Sequence, residues 1–125
     1  MPVPEFYFIN TPHTNTDKAH RFFYHETVRF REFLEKIFGT HISDQSLSRA
    51  IKVYNQNRIL LKKVYDLRRR DPPLISGVEA LEIVLSSMLI PKHEHNRLLN
   101  QLLREAPVRS DPPKSGVRLL ISGSV

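Results

Sequence analysis

The apolar positions of this chain fall into four stretches with helical spacing, flanked by a short apolar run near each end. In the first stretch, Ala19, Phe22 or Phe23, Phe30, Phe33, Leu34 and Ile37 share one face at a period of 3.6 residues. Thr16 offers a hydroxyl to the free N–H groups of the opening turn. Gly39 ends the helix, because glycine enters the left-handed conformation after a helix without steric cost. A second helix is predicted from about Ser43 to Arg70, burying Leu47, Ala50, Ile51, Tyr54, Leu61, Val64 and Tyr65. Pro72 and Pro73 block its continuation. Ser76 and Glu79 have capping-box spacing, so a third helix opens there through Val78, Leu81, Val84, Leu85 and Met88. Pro91 breaks or kinks it. A fourth helix, about Lys92–Glu105, aligns Leu98, Leu99, Leu102 and Leu103.

The two end runs carry a different pattern. Residues 5–10 (EFYFIN) are aromatic and β-branched, bounded by Pro4 and by Thr11-Pro12, which suits a strand. Residues 117–121 (VRLLI) follow a proline-rich linker over 107–116 and precede Ser122-Gly123-Ser124. An apolar run before a small-residue turn is how a central parallel strand meets its ligand-facing loop. Two strands with no neighbours make a marginal sheet. The expected fold class is therefore α/β: a mostly helical fragment of a larger protein that joins two parallel-sheet domains, with one strand at each end. Residues 1–14 would be the last strand of a preceding domain and 15–106 a helical connector. Residues 107–125 would be a linker and the first strand of a following domain.

Composition narrows the chemistry. The chain has 125 residues and no cysteine, which removes disulfides, thiolate metal sites and a cysteine nucleophile from its own repertoire. No apolar run approaches the roughly 20 residues of a membrane span. The N-terminal MPVPEFYFIN lacks the basic-then-apolar order of a signal peptide, so a cytoplasmic protein without membrane contact is expected. Nineteen Lys and Arg against thirteen Asp and Glu give a net charge of +6, a surface attracted to polyanions. Its densest basic cluster, Lys62, Lys63, Arg68, Arg69 and Arg70, lies where a helix dipole favours cations. A solvated helix end is the preferred reading of that cluster over a phosphate or nucleic-acid site.

Candidate functional residues are few. No P-loop, GxGxxG or GxSxG element is present. His20, His25, His41, His93 and His95 do not form a metal-ligand set, and His93 and His95, two apart, point in different directions on a helix. His13 follows the first expected strand, at the sheet end where open α/β folds bind ligands; it faces a substrate or packs its own turn. Ser122 and Gly123 end the other strand and can present backbone N–H groups to a ligand oxygen. Asn55, Asn57 and Arg58 read as structural. Arg58 shares a face with Tyr54, Leu61 and Tyr65 and is placed to pair with a carboxylate of the connector.

Four stretches, in order, carry a resemblance: FYFINTPH at 6–13, AIKVYNQNRILLKKVYDLRR at 50–69, PPLISG at 72–77 and GVRLLISGS at 116–124. Together they resemble subunits of the 2-hydroxyacyl-CoA dehydratases, a family that includes 2-hydroxyglutaryl-CoA dehydratase and the benzoyl-CoA reductases. The resemblance implies a longer subunit with two flavodoxin-like domains and a 4Fe–4S cluster held mainly by cysteines outside these residues. It also implies a second related subunit and an ATP-dependent iron–sulfur activator. The implied chemistry is radical elimination of water from a 2-hydroxyacyl-CoA, or related benzoyl-CoA reduction. By the same resemblance the Ser122–Gly123 loop borders the cleft, and this chain by itself binds no cofactor and is inactive. From the residues alone, a free-standing basic helical module binding nucleic acid or a protein partner is the alternative.

Overall fold

A computed structural model of the chain describes residues 5–114, 116 and 117. Among these residues the regular structure is helical: α1 (Asp17–Phe38), α2 (Asp44–Arg69), α3 (Gly77–Leu89), α4 (Lys92–Glu105) and a turn of 3-10 helix at Ala106–Val108. No strand occurs among them. The chain divides into two compact units, Met1–Leu47 and Ser48–Val125, with the first turn of α2 in the former.

In the first unit, α1 begins and ends where capping chemistry places it. Thr16 Oγ1 accepts from the Ala19 amide at 3.2 Å, and Gly39 closes the helix at a φ of 58°. The strand expected over residues 5–10 is not formed. Its period-two alternation is nevertheless visible: Tyr7 packs on Phe30 and Phe33, at centroid distances of 5.3 and 4.6 Å, while Phe6 and Phe8 are exposed. The segment finds a helix where the pattern anticipated a sheet. Asn10 completes the attachment through Glu26 Oε2, which accepts from its backbone N–H at 3.3 Å and from its side-chain amide at 3.2 Å. Glu26 is buried, and the Asn10 amide, with Arg29 at 2.9 Å, holds its carboxyl below the usual range. The strand expected over 117–121 lies outside the described residues except for Val117, which carries no regular structure.

The second unit holds the core. Leu60, Val64 and Leu67 of α2 meet Ile75, Ala80 of α3, Leu99 of α4 and Ala106; Leu61, Leu74, Ile83, Leu102 and Leu103 pack against them. This corrects the expected inner face of α2. Leu47, Ala50, Ile51, Tyr54 and Tyr65 are exposed, Val64 is buried as expected, and the buried stripe runs through Asn57, Leu60, Val64 and Leu67. Two apolar stripes exist on α2, and the neighbouring helices select one of them. On α3, Val78, Leu81, Leu85 and Met88 face outward, while Ala80 and Ser87 are buried and Ile83 packs against the core. On α4, Leu99 is buried as expected while Leu98 is exposed.

The joint between α2 and α3 is tightly bonded. The Leu74 N–H donates back to the Leu67 carbonyl at 3.1 Å, and the Asp71–Pro72 peptide is cis. The predicted capping box forms in full: Glu79 N–H donates to Ser76 Oγ at 3.1 Å, and Ser76 N–H donates to Glu79 Oε2 at 2.6 Å. Arg109 then donates to Glu79 Oε1 at 2.8 Å and to the Leu74 carbonyl at 3.4 Å, tying the segment after α4 to the joint.

Candidate functional site

The joint borders an open basin of about 590 Å³. The last turns of α2 supply Tyr65, Arg68 and Arg69; the joint supplies Pro73, Ile75 and Ser76; Gly77 opens α3; and Pro113, Lys114, Gly116 and Val117 form the remaining wall. Three of these side chains are cations and none is a carboxylate. Arg68 and Lys114 have neither a hydrogen bond nor an ion pair among the described residues. The Arg68 guanidinium stands beside the start of α3: a β-carbon on Gly77 would lie 3.7 Å from its Nη2. Arg69 faces Asp66 of its own helix at 3.9 Å. The Ser76 oxygen accepts from Glu79, which leaves its O–H free to donate into the basin. Glu79 turns away to the Ser76 amide. That backbone hydrogen bond, with help from Arg109, holds its carboxyl below the usual range against the opposing effect of partial burial.

A second polar arrangement lies in the core. Asn57 is 3% exposed and His95 1% exposed. Asn96 Nδ2 donates to the Val53 carbonyl at 3.1 Å, which fixes its Oδ1 as the acceptor for Asn57 Nδ2 at 2.7 Å. Asn57 Nδ2 also approaches His95 Nδ1 at 2.7 Å, so that ring nitrogen accepts; Nε2, 3.1 Å from the Ile83 carbonyl, donates. The polarity is consistent throughout only for neutral His95 protonated on Nε2. Burial pushes the His95 pKa down, opposed by the Ile83 carbonyl and assisted by Lys92. This network clasps α4 to α2 and α3.

The residues singled out from sequence are not brought together. His13 is exposed in the bend before α1, without a hydrogen bond or ion pair among the described residues. Ser122 and Gly123 lie outside the described residues. Asn55 accepts from Arg58 at 3.0 Å on the exposed side of α2, so Arg58 meets an amide oxygen where a carboxylate was expected. Sequence reasoning missed Lys114 and the His95 clasp. For His95 a signal was available, since it precedes Leu99, an expected core position, by four residues; Asn57 is keyed to Leu60, which only the fold places in the core.

The fit to an iron–sulfur cluster is decided by donor chemistry. The chain has no thiolate to offer, and the described residues contain no group of three or more His, Cys, Asp or Glu able to hold a metal. Among the described residues no helix is long and apolar enough to cross a membrane.

Comparison with known proteins supplies what geometry alone does not. A family model described as 2-hydroxyglutaryl-CoA dehydratase, D-component, matches residues 1–125. The chain belongs to that family. One of the benzoyl-CoA reductase subunits of Thauera aromatica is 31% identical over 118 residues, covering 94% of this chain and 31% of that protein. The (R)-phenyllactyl-CoA dehydratase beta subunit of Clostridium sporogenes is 30% identical over 94 residues, 75% of this chain and 25% of the relative. The beta subunit of (R)-2-hydroxyglutaryl-CoA dehydratase from Acidaminococcus fermentans is 25% identical over the whole chain and 32% of its own length. The dehydratase-family chain thus spans about a third or less of these relatives. No solved structure matches it.

Proposed function

We propose that this chain is the helical section of a longer 2-hydroxyacyl-CoA dehydratase- or benzoyl-CoA reductase-type subunit. The observation that carries the reading is a family match over every residue of a chain that covers only 25–32% of its named relatives. The outward apolar stripe of α3, with Met88 75% exposed, supports it, because such faces are ordinarily covered by further protein. In this reading residues 15–106 connect two α/β domains and residues 107–125 lead into the second of them. His13, Ser122 and Gly123 approach the substrate cleft. Cysteines elsewhere in the same polypeptide hold a 4Fe–4S cluster, the enzyme includes a second related subunit, and an ATP-dependent activator supplies the electron.

The cluster is not held by these residues, and no chemical step is assigned to them. Their work is positional: the capped joint and the His95 clasp fix the helices against one another. The test is anaerobic purification of the longest polypeptide that includes this chain, together with its partner subunit. Iron analysis follows, with assay of 2-hydroxyacyl-CoA and benzoyl-CoA under a low-potential reductant. Conversion of either thioester supports the reading. A protein bearing no iron and converting neither thioester removes it and leaves the basic helical module.

A further inference from the structure

We infer that the basin at the α2–α3 joint is a phosphate subsite, built to take the diphosphate of a nucleotide-type acyl carrier through Arg68, Lys114 and Ser76. The choice of carrier rests on the functional reading above; the subsite itself rests on charge and geometry.

Among the described residues the basin is lined by three cations and no carboxylate, and two of them, Arg68 and Lys114, have no partner there. The helix end is not the source of this charge. The α3 terminus is already served by the Ser76 hydroxyl and by the Glu79 carboxylate, which is itself neutralised by Arg109. The uncompensated charge belongs to side chains drawn from two separated segments, the end of α2 and the stretch after the 3-10 turn. Concentrating like charge in one concavity raises the free energy of the folded chain, and a bound polyanion offsets that cost. A guanidinium presents a planar fork to phosphate oxygens, an ammonium adds a compact charge, and the free Ser76 O–H completes a mixed donor set. Apolar Ile75, Pro73 and Val117, with Tyr65, floor and flank the same space. That composition suits a phosphate carrying an organic chain better than a bare ion. A volume of about 590 Å³ admits a diphosphate with its attached groups.

Gly77 supplies a decisive variant. Its φ is not left-handed, and a β-carbon there meets Arg68 Nη2 at ordinary contact distance. Gly77→Asp therefore puts a carboxylate against Arg68 while favouring the first turn of α3. Titration calorimetry on the full chain would compare coenzyme A, inorganic pyrophosphate and a short DNA duplex, with melting temperatures recorded for each variant. The subsite predicts that Arg68→Ala weakens coenzyme A and pyrophosphate by about tenfold, the usual scale for one charged hydrogen bond. It predicts a larger loss for Gly77→Asp, without a lower melting temperature. Wild-type binding of coenzyme A by both variants would overturn the subsite while leaving the acyl-CoA reading intact. Arg68-dependent pyrophosphate binding with no additional affinity for coenzyme A would overturn the carrier assignment, while the acyl-CoA reading would still be decided by thioester conversion. Preferential binding of the duplex, equally weakened by Lys62→Ala and Lys63→Ala outside the basin, would replace the subsite with a general polyanion surface.

Discussion

The aromatic face of α1 and the polar face shared by α2 and α4 reverse the usual expectation about burial. In the first unit Phe22 is 46% exposed, and the buried positions of α1 are Ala19 and Glu26. In the second, Asn57 and His95 are almost wholly enclosed. Hydrophobicity alone would order these residues the other way. What separates them is partnership. Glu26 is buried because Asn10 and Arg29 satisfy its oxygens, and Asn57 is buried because His95 and Asn96 satisfy its amide. An aromatic stripe with only an irregular segment to cover it stays half open.

The contrast is broken most forcefully at Leu99, which is fully buried in the unit-two core. Leu99→Ala should lower unfolding free energy by about 3 kcal/mol in urea denaturation, against roughly 1 kcal/mol or less for Phe22→Ala. Equal losses would mean that the two faces are buried alike in solution. Next is Asn57→Ala, which strands His95 Nδ1 and Asn96 Oδ1; a loss of about 2 kcal/mol is expected in the same assay, more than for exposed Asn55→Ala.

Acid sharpens the comparison further. The folded pKa of His95 lies below its ordinary 6.5, so the unfolded chain binds more protons in the window just under that value. Stability is full above pH 6.5 and falls as the pH drops through the folded pKa. His95→Phe should cost stability at neutral pH yet flatten this slope, as read from urea midpoints across the range. Glu79, lowered from 4.5, adds a second loss at more acid pH: its contribution is present above 4.5 and disappears as the carboxyl protonates. Arg109→Ala should weaken that second phase. Thr16→Ala, removing the α1 cap, gives the smallest predicted effect at about 1 kcal/mol, confined to the first unit.

Much of the fold was legible from local chemistry. Thr16, Gly39, Ser76, Glu79, Pro72 and Pro91 act on their immediate neighbours, and the helix limits follow them closely. The inner face of α2 was not legible, because the helix carries two candidate stripes and only distant residues choose between them. The expected first strand failed for a related reason: alternation in EFYFIN records one face turned to protein, and the protein it meets is α1. Family membership was legible from ordered motifs, although nothing in composition or spacing alone points to coenzyme A. The basin required the fold, since Lys114 and Arg68 are far apart in sequence and meet only across the joint.

The most direct test of burial by partnership is nitrogen NMR of the His95 ring across pH. The account predicts an imidazole protonated on Nε2 and bare on Nδ1, with a titration midpoint below 6.5 that moves in Asn57→Ala. A ring that titrates at 6.5, or that carries its proton on Nδ1 at neutral pH, would contradict it.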